Sequence, residues 1–160
     1  MRLQPRASMP DEILVQALFP AGWHMMSLPA EPVNHDPATV IDSLDPMAGL
    51  FRYVPEMLTY SSYDPDGWPG FGQMEVGVGD WMKVTRDAVI AYRGVPCHES
   101  FEIPLGCVGW TMVGCPFPNP MPVAPLGVRG ADGTTVSLAE AAEAAWIQLP
   151  MAHWDPVDVG

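Results

Sequence analysis

Proline and glycine interrupt this chain at short intervals, and that spacing limits what it can fold into. The sequence has 19 prolines and 15 glycines among 160 residues, spread along its length instead of gathered in one linker. Because proline removes a backbone donor and glycine weakens helices, long helices are largely excluded. The remaining segments have the usual length of strands, about five to eight residues. The pattern predicts a mostly β domain built from hairpins and meanders.

Runs of β-branched, aromatic and other apolar residues between turn residues mark the expected strands. The predicted strands are Ile13–Phe19, Trp23–Leu28, Leu50–Tyr53, Met57–Ser61, Asp80–Val84, Val89–Arg93, Phe101–Leu105, Trp110–Cys115 and Ala152–Trp154. Two helix starts are also readable. Asp36 can cap a short helix that has Pro37 in its first position and runs to Leu44. Ser137 and Glu140 form a capping-box pattern ahead of a second helix, which should end near Trp146.

The segment Gly22–Pro29 (GWHMMSLP) recurs as Gly109–Pro116 (GWTMVGCP), so the chain contains an internal repeat. Both faces of these segments are apolar, which predicts strands covered on both sides with Trp23 and Trp110 as equivalent core anchors. We predict a β-sandwich or open barrel of two pseudo-repeats with one short helix each. The first repeat, 1–96, is complete, and the second, 97–160, is truncated before its closing strands. Both are expected to pack as a single globular unit.

These openers, together with the closing motif Gly77–Met82 (GVGDWM), resemble the bacterial cell-surface repeats that open with Gly-Trp-Asn and close with Gly-x-Gly-Tyr-Trp. The resemblance covers nearly the whole chain. It implies a mostly β, non-catalytic, extracellular module without an assigned activity, and it carries over no catalytic residues. The chain departs from the pattern where His24 and Thr111 replace asparagine and where Asp80 replaces tyrosine.

Charge excludes several classes of partner. The sequence has 19 acidic residues against 7 basic ones, for a formal net charge of −12. Such a chain repels phosphate, so we expect neither nucleic acid nor an anionic membrane as a partner. The N-terminus lacks a signal-peptide pattern, and no apolar stretch reaches about 18 residues. As written the chain is expected to be cytoplasmic, whereas the resemblance implies secretion if it is a fragment.

Cysteine and histidine offer little chemistry at this stage. The three cysteines, Cys97, Cys107 and Cys115, form an odd set without a Cys-x-x-Cys pair, so a disulfide framework is not indicated. With His98 they suffice in number for a zinc site, but their spacing favours buried free thiols. We therefore predict no metal and no cofactor.

The favoured function is a non-enzymatic binding module for a glycan or a protein. Its predicted contact surface is the aromatic loop Tyr60–Gln73, where glycine and proline hold rings beside carboxylates and amides. The candidate ligand-binding residues are Tyr60, Tyr63, Asp64, Asp66, Trp68 and Phe71. The alternative for this loop is that Trp68 and Phe71 fold under and cap the open end of the sandwich.

Two further hypotheses remain open. A metal-dependent hydrolase would use a His/Asp cluster drawn from His35, Asp36, Asp64 and Asp66. The truncation of the second repeat also predicts an exposed edge strand near Ala152–Trp154. Because unpaired backbone groups invite pairing, we expect a homodimer there, or a larger chain that supplies the missing strands.

Overall fold

The computed structural model describes residues 12–41, 49–64, 71–98, 100–149 and 151. The chain divides into two compact units, Met1–Asn119 and Pro120–Gly160. The first unit contains β1 (Ile13–Phe19), β2 (Gly22–Met26), β3 (Ala30–Pro32), α1 (Pro37–Val40), β4 (Gly49–Val54), a 3₁₀ turn (Pro55–Met57), β5 (Thr59–Ser62), β6 (Asp80–Val84) and β7 (Ala88–Pro96). The second contains β8 (Gly127–Arg129), β9 (Thr135–Ser137) and α2 (Leu138–Glu143). The prediction of a mostly β fold is confirmed.

Two antiparallel sheets build the first unit as a sandwich. One has the strand order β1-β7-β3 and the other β2-β6-β4-β5, so no barrel is closed among the described strands. Their inner faces and the adjoining loops supply one apolar core. The buried core residues are Met26, Leu28, Val40, Ile41, Leu50, Phe71, Met74, Val76, Met82, Val84, Ile90 and Tyr92.

The central strand of the smaller sheet shows why these residues pair as they do. Along β7, Ile90, Tyr92 and Gly94 are buried in alternation, as a strand with one face on a core requires. A Cβ at Gly94 would lie 2.7 Å from the carbonyl oxygen of Glu31, so only glycine allows β3 to approach this closely. The Tyr92 hydroxyl donates to the Ala30 carbonyl at 3.0 Å and fastens the same two strands.

Most strand predictions hold where alternation is strong. Ile13–Phe19 and Asp80–Val84 are observed with the predicted ends, and the strands predicted at Trp23, Leu50 and Val89 are present with shifted ends. The strand predicted at Met57 begins at Thr59 instead, because Pro55 starts the 3₁₀ turn. The strand predicted at Ala152–Trp154 lies outside the described residues.

Two predicted strands are wrong. Phe101–Leu105 is irregular, since Pro104 cannot donate to a ladder. Trp110–Cys115 forms only an isolated bridge between Val113 and Val78. Its partner is the short turn around Gly77, whose carbonyl accepts from Gly114 N at 2.9 Å, and that turn is too short to support a ladder.

The second unit contains a hairpin that the strand predictions missed. β8 and β9 pair antiparallel with Val128 opposite Val136. Gly133, at φ 84°, occupies the left-handed region in the connecting turn. The signal was present in the sequence as an Asp-Gly dipeptide between two short apolar runs.

Both helix caps are confirmed. The Asp36 carboxylate accepts from Ala38 N at 2.9 Å, although α1 ends at Val40 and not at Leu44. Ser137 Oγ accepts from Glu140 N at 3.2 Å, and Glu140 Oε2 accepts from Ser137 N at 2.9 Å, which completes the capping box. No helix among the described residues is long and apolar enough to cross a membrane.

The repeated tryptophans are not core anchors. Trp23 is 45% exposed and Trp110 is 69% exposed, so the prediction that both are buried is wrong. The preceding glycines nevertheless share an unusual backbone conformation, with φ 139° at Gly22 and φ 136° at Gly109. The boundary between repeats at 96/97 stays a prediction.

Candidate functional site

The outer face of the four-stranded sheet is covered with aromatic side chains. Residues directly opposite each other in an antiparallel pair point to the same side of a sheet. Trp81 lies opposite both Met25 and Phe51, and Tyr53 lies opposite Tyr60. Together with Trp23 these rings form one surface, which we call the aromatic face: Trp23, Phe51, Tyr53, Tyr60 and Trp81.

Three of these rings pack as a cluster on β2, β4 and β6. The Trp23 ring centroid lies 5.5 Å from that of Phe51 and 6.3 Å from that of Trp81, with the two indoles nearly edge to face. A Cβ at Gly49 would overlap the Phe51 ring, so glycine makes room for that ring beside the cluster. The cluster is therefore held by packing and not by long flexible side chains.

The other two rings continue the surface toward β5. Tyr53 and Tyr60 are a cross-strand pair with centroids 5.2 Å apart. Tyr60 is 51% exposed, whereas Phe51, Tyr53 and Trp81 are each half-buried. Edge-to-face pairs of this kind keep the rings in fixed orientations while part of each remains open to solvent.

Lys83 adds a positive charge to the aromatic face. Its Nζ lies 5.6 Å from the centroid of the Trp23 ring, within the range of a cation–π contact. It is directly opposite Trp23 in the β2–β6 pair. Lys83 is also the single lysine in the sequence.

A buried ion pair lies on the opposite side of the same sheet. Arg52 Nε donates to Asp80 Oδ1 at 2.8 Å, and Nη2 donates to Oδ2 at 2.9 Å. Asp80 is only 2% exposed. Burial raises the pKa of the Asp80 carboxyl, and the hydrogen bonds and charge of Arg52 oppose that rise. The pair ties β4 to β6 directly beneath the aromatic face.

The same arginine fastens the end of the predicted binding loop. Arg52 Nη1 donates to the carbonyls of Gln73 at 2.8 Å and of Phe71 at 3.3 Å. Its guanidinium carbon lies 4.4 Å from the centroid of the Phe71 ring. Asp80 therefore positions the arginine that holds this segment.

The structure separates the residues predicted for the loop. Tyr60 belongs to the aromatic face, while Phe71 is 4% exposed and packs in the core, so its ring is not presented to a ligand. Phe71 therefore follows the alternative prediction, in which its ring folds under the loop into the sandwich. Tyr63 is half-buried, 6.0 Å from Phe71 between ring centroids. Burial, followed by the charges of Asp36 and Asp64, raises the pKa of Tyr63.

The other predicted residues of this loop are Asp64, Asp66 and Trp68, and only Asp64 is among the residues that the structure describes. Asp64 is half-buried. Asp66 and Trp68 lie outside the described residues, so their proposed contacts stay predictions. The alternative that Trp68 caps the sandwich stays a prediction for the same reason.

The residues of the hydrolase hypothesis have structural partners. His35 donates from Nδ1 to the Met74 carbonyl at 2.9 Å, and its Nε2 lies 3.2 Å from a Glu31 carboxylate oxygen. Asp36 is engaged as the cap of α1. Within the part of the chain that the structure describes, no three His, Cys, Asp or Glu side chains are grouped to hold a metal ion.

The cysteines are free thiols, but they are less buried than predicted. Cys97 and Cys107 are half-buried and Cys115 is exposed. Cys115 Sγ lies 3.7 Å from the Phe117 carbonyl and 3.9 Å from that of Asn119. The prediction that all three are buried is wrong. Cys115 is exposed because Trp110–Cys115 forms only an isolated bridge and is not an inner strand.

The aromatic face was missed by sequence reasoning, although its signal is visible. Aromatic residues alternate at Phe51 and Tyr53, and Trp23 and Trp81 each sit two positions from another long side chain. In Trp23–Leu28 the other side is also apolar, with Met26 and Leu28, which predicted a strand covered on both sides. Comparisons with models of known protein families, with curated proteins and with solved structures find no match.

Proposed function

We propose that this protein is a non-enzymatic binding module that recognises carbohydrate on its aromatic face. The observation that carries the proposal is five rings on one side of a four-stranded sheet, fixed by ring–ring contacts and partly open to solvent. A sugar ring has an apolar C–H face that packs on such surfaces, while its hydroxyls stay hydrated or bond to neighbouring polar groups.

Charge supports a sugar over a charged partner. The chain carries a formal net charge of −12, yet among the paired positions described on this face the only charged side chain is Lys83. Ser62, opposite Phe51, adds a hydroxyl at the β5 edge. A mainly apolar surface with a hydroxyl and one ammonium group suits a neutral or weakly acidic glycan.

Rigidity supports the same conclusion. The rings lie on strands and not on a loop, so little conformational entropy is lost when a ligand binds. Tyr60 joins the aromatic face to the predicted loop, and we propose that Asp64, Asp66 and Trp68 extend the contact from there. The expectation of a non-catalytic module, drawn from the resembling repeats, agrees with this proposal.

The proposal is tested by screening the labelled protein on a glycan array and measuring the best ligand by titration calorimetry. We expect Trp23→Ala and Trp81→Ala each to weaken binding about tenfold or more, which corresponds to about 1.4 kcal/mol for a buried aromatic contact. Trp110→Ala is the matched control, because Trp110 is exposed but lies outside the four-stranded sheet.

Trp68→Ala distinguishes the loop from the sheet. If the aromatic face is the main contact, this variant weakens binding less than Trp81→Ala does. Binding that depends on Trp68 and is indifferent to Trp23 and Trp81 would move the site to the loop. A protein that binds no glycan on the array would refute the carbohydrate assignment altogether.

A further inference from the structure

β1 is an edge strand without the usual protection against pairing. It ends the order β1-β7-β3, and no other strand that the structure describes pairs with its second edge. Natural edge strands are commonly guarded by lysine, proline or a bulge. The seven residues of β1, ILVQALF, include no charged residue and no proline, and they pair with β7 without interruption.

The outward side chains of β1 are also exposed and apolar. Leu14 is 57% exposed and Leu18 is 69% exposed, and they flank Gln16 on one side of the strand. On the other side, Val15 and Phe19 pack against the core. A strand added beside β1 would place side chains next to both leucines and shield one flank of each, while the inner side chains kept their places.

The geometry points to a second copy of this chain as the occupant, paired antiparallel through β1 with the two-fold axis at Gln16. The strand matches itself about that residue. Leu14 would lie opposite Leu18 of the second copy, and Val15 would lie opposite Ala17. The two Gln16 residues would lie opposite each other, so that their side-chain amides could exchange hydrogen bonds. Opposed apolar pairs of this kind are the ones that stabilise antiparallel strands. The two sheets would join as one, in the order β3-β7-β1-β1-β7-β3.

Charge explains why a chain this acidic tolerates its own copy here. With a formal net charge of −12 on each chain, two copies repel one another at long range. In the proposed register, Glu12 would lie opposite Pro20 of the second copy, so the residue directly across from it carries no charge. A basic partner could be attracted by the net charge, but β1 has no carboxylate with which it could form an ion pair. This inference is independent of carbohydrate binding.

Light scattering after size-exclusion chromatography tests the dimer. As the protein concentration rises from about 1 to about 100 µM, we expect the wild-type mass to approach twice the 17.4 kDa of one chain. Gln16→Lys places two like charges opposite each other at the axis and should return the mass to that of a monomer. Val33→Lys is the control, because Val33 is 62% exposed but follows β3 at the far side of the same sheet.

Cysteine cross-linking tests the register without relying on a disruptive charge. In a chain with the native cysteines changed to serine, Gln16→Cys should oxidise to a covalent dimer, because the two Cα atoms would lie about 4.5–5.5 Å apart. Leu14→Cys alone should not, since its two copies would be about 13 Å apart, whereas a mixture of Leu14→Cys and Leu18→Cys should.

The outcomes separate the alternatives. A monomer mass for the wild type at 100 µM, on the order of 10⁻⁴ M, would overturn the proposal. A dimer that persists in Gln16→Lys with unchanged circular dichroism would also overturn it, and would place the interface elsewhere, for example near Ala152–Trp154. Cross-linking by Leu14→Cys alone would contradict the register.

Discussion

Removing the guanidinium of Arg52 is the sharpest test of how the sheet is held together. In the variant Arg52→Met, the Asp80 carboxylate keeps its position at 2% exposure but loses two hydrogen bonds of 2.8 and 2.9 Å. Leaving one partner of a buried pair uncompensated costs about 3–5 kcal/mol. A domain of this size has roughly 5–15 kcal/mol of stability in total, so the variant should be folded but severely weakened.

The loss should depend on pH, and its sign follows from the pKa of Asp80. Burial already raises this pKa, and Arg52 opposes the rise, so the variant carries a still higher pKa in the folded state. The folded state then binds a proton that the unfolded state releases above its ordinary pKa of about 3.9. Stability is therefore greatest below that value and falls as pH rises through the folded pKa, by at most about 1.4 kcal/mol per pH unit.

The assay is urea unfolding, monitored by tryptophan fluorescence, at about pH 5 and at about pH 8. Both pH values lie above the pKa of about 3.9 that the Asp80 carboxyl has in the unfolded state. We expect Arg52→Met to lose more stability at the higher pH. Arg93→Met is the matched control, because this arginine is exposed on β7 and its replacement should cost within about 0.5 kcal/mol.

A double variant separates the ion pair from packing. Arg52→Met with Asp80→Leu removes both charges and should regain the part of the loss that the unpaired Asp80 causes, since an apolar pair of similar volume can replace a buried ion pair. The hydrogen bonds from Arg52 to the Phe71 and Gln73 carbonyls stay lost in both variants. A loss below about 1 kcal/mol in Arg52→Met, or a double variant as weak as the single one, would refute the reasoning that an unpaired Asp80 causes the effect.

Two further predictions concern the core and the aromatic face. Burial raises the pKa of Tyr92 from 10.0 to about 12, so the unfolded state releases the Tyr92 proton at a lower pH than the folded state does. The free energy of unfolding should therefore fall by about 2–3 kcal/mol as pH rises from 10 to 12. Tyr92→Phe should lack this pH-dependent loss, and an equal fall in the free energy of unfolding of both proteins across that range would contradict the prediction. Gly49→Ala should cost about 1–3 kcal/mol and alter tryptophan fluorescence, because a Cβ there overlaps the Phe51 ring. Gly106→Ala, with no atom within 4 Å of its Cβ position, is the neutral control; equal melting temperatures for the two alanine variants would show that the Phe51 ring does not need the space.

Features set by a few neighbouring residues were predictable from the sequence. The Asp36 and Ser137 caps depend on side chains two or three positions from the donors that they satisfy. Ile13–Phe19 and Asp80–Val84 were bounded correctly because turn residues enclose them. The mostly β character follows from the same spacing of proline and glycine. Each of these is a local matter of backbone donors and allowed dihedrals.

Features that depend on pairing could not be read in the same way. Arg52 and Asp80 are 28 positions apart, and nothing local indicates that their side chains meet. Trp110–Cys115 looks like Trp23–Leu28 in sequence, yet only the first of the two segments has a strand beside it.

The aromatic face shows where the division falls. The sequence by itself determined that β2, β4 and β6 carry apolar residues on both sides, because apolar residues stand at neighbouring positions and neighbouring side chains point to opposite sides of a strand. Only the tertiary structure decided which side is covered, since that depends on which sheet packs opposite and where the chain crosses. Met26 and Met82 were placed in the core, while Trp23 was left at the surface, 45% exposed. The physical reason is that a sandwich has one interior: the second apolar side of each strand must face solvent or a partner.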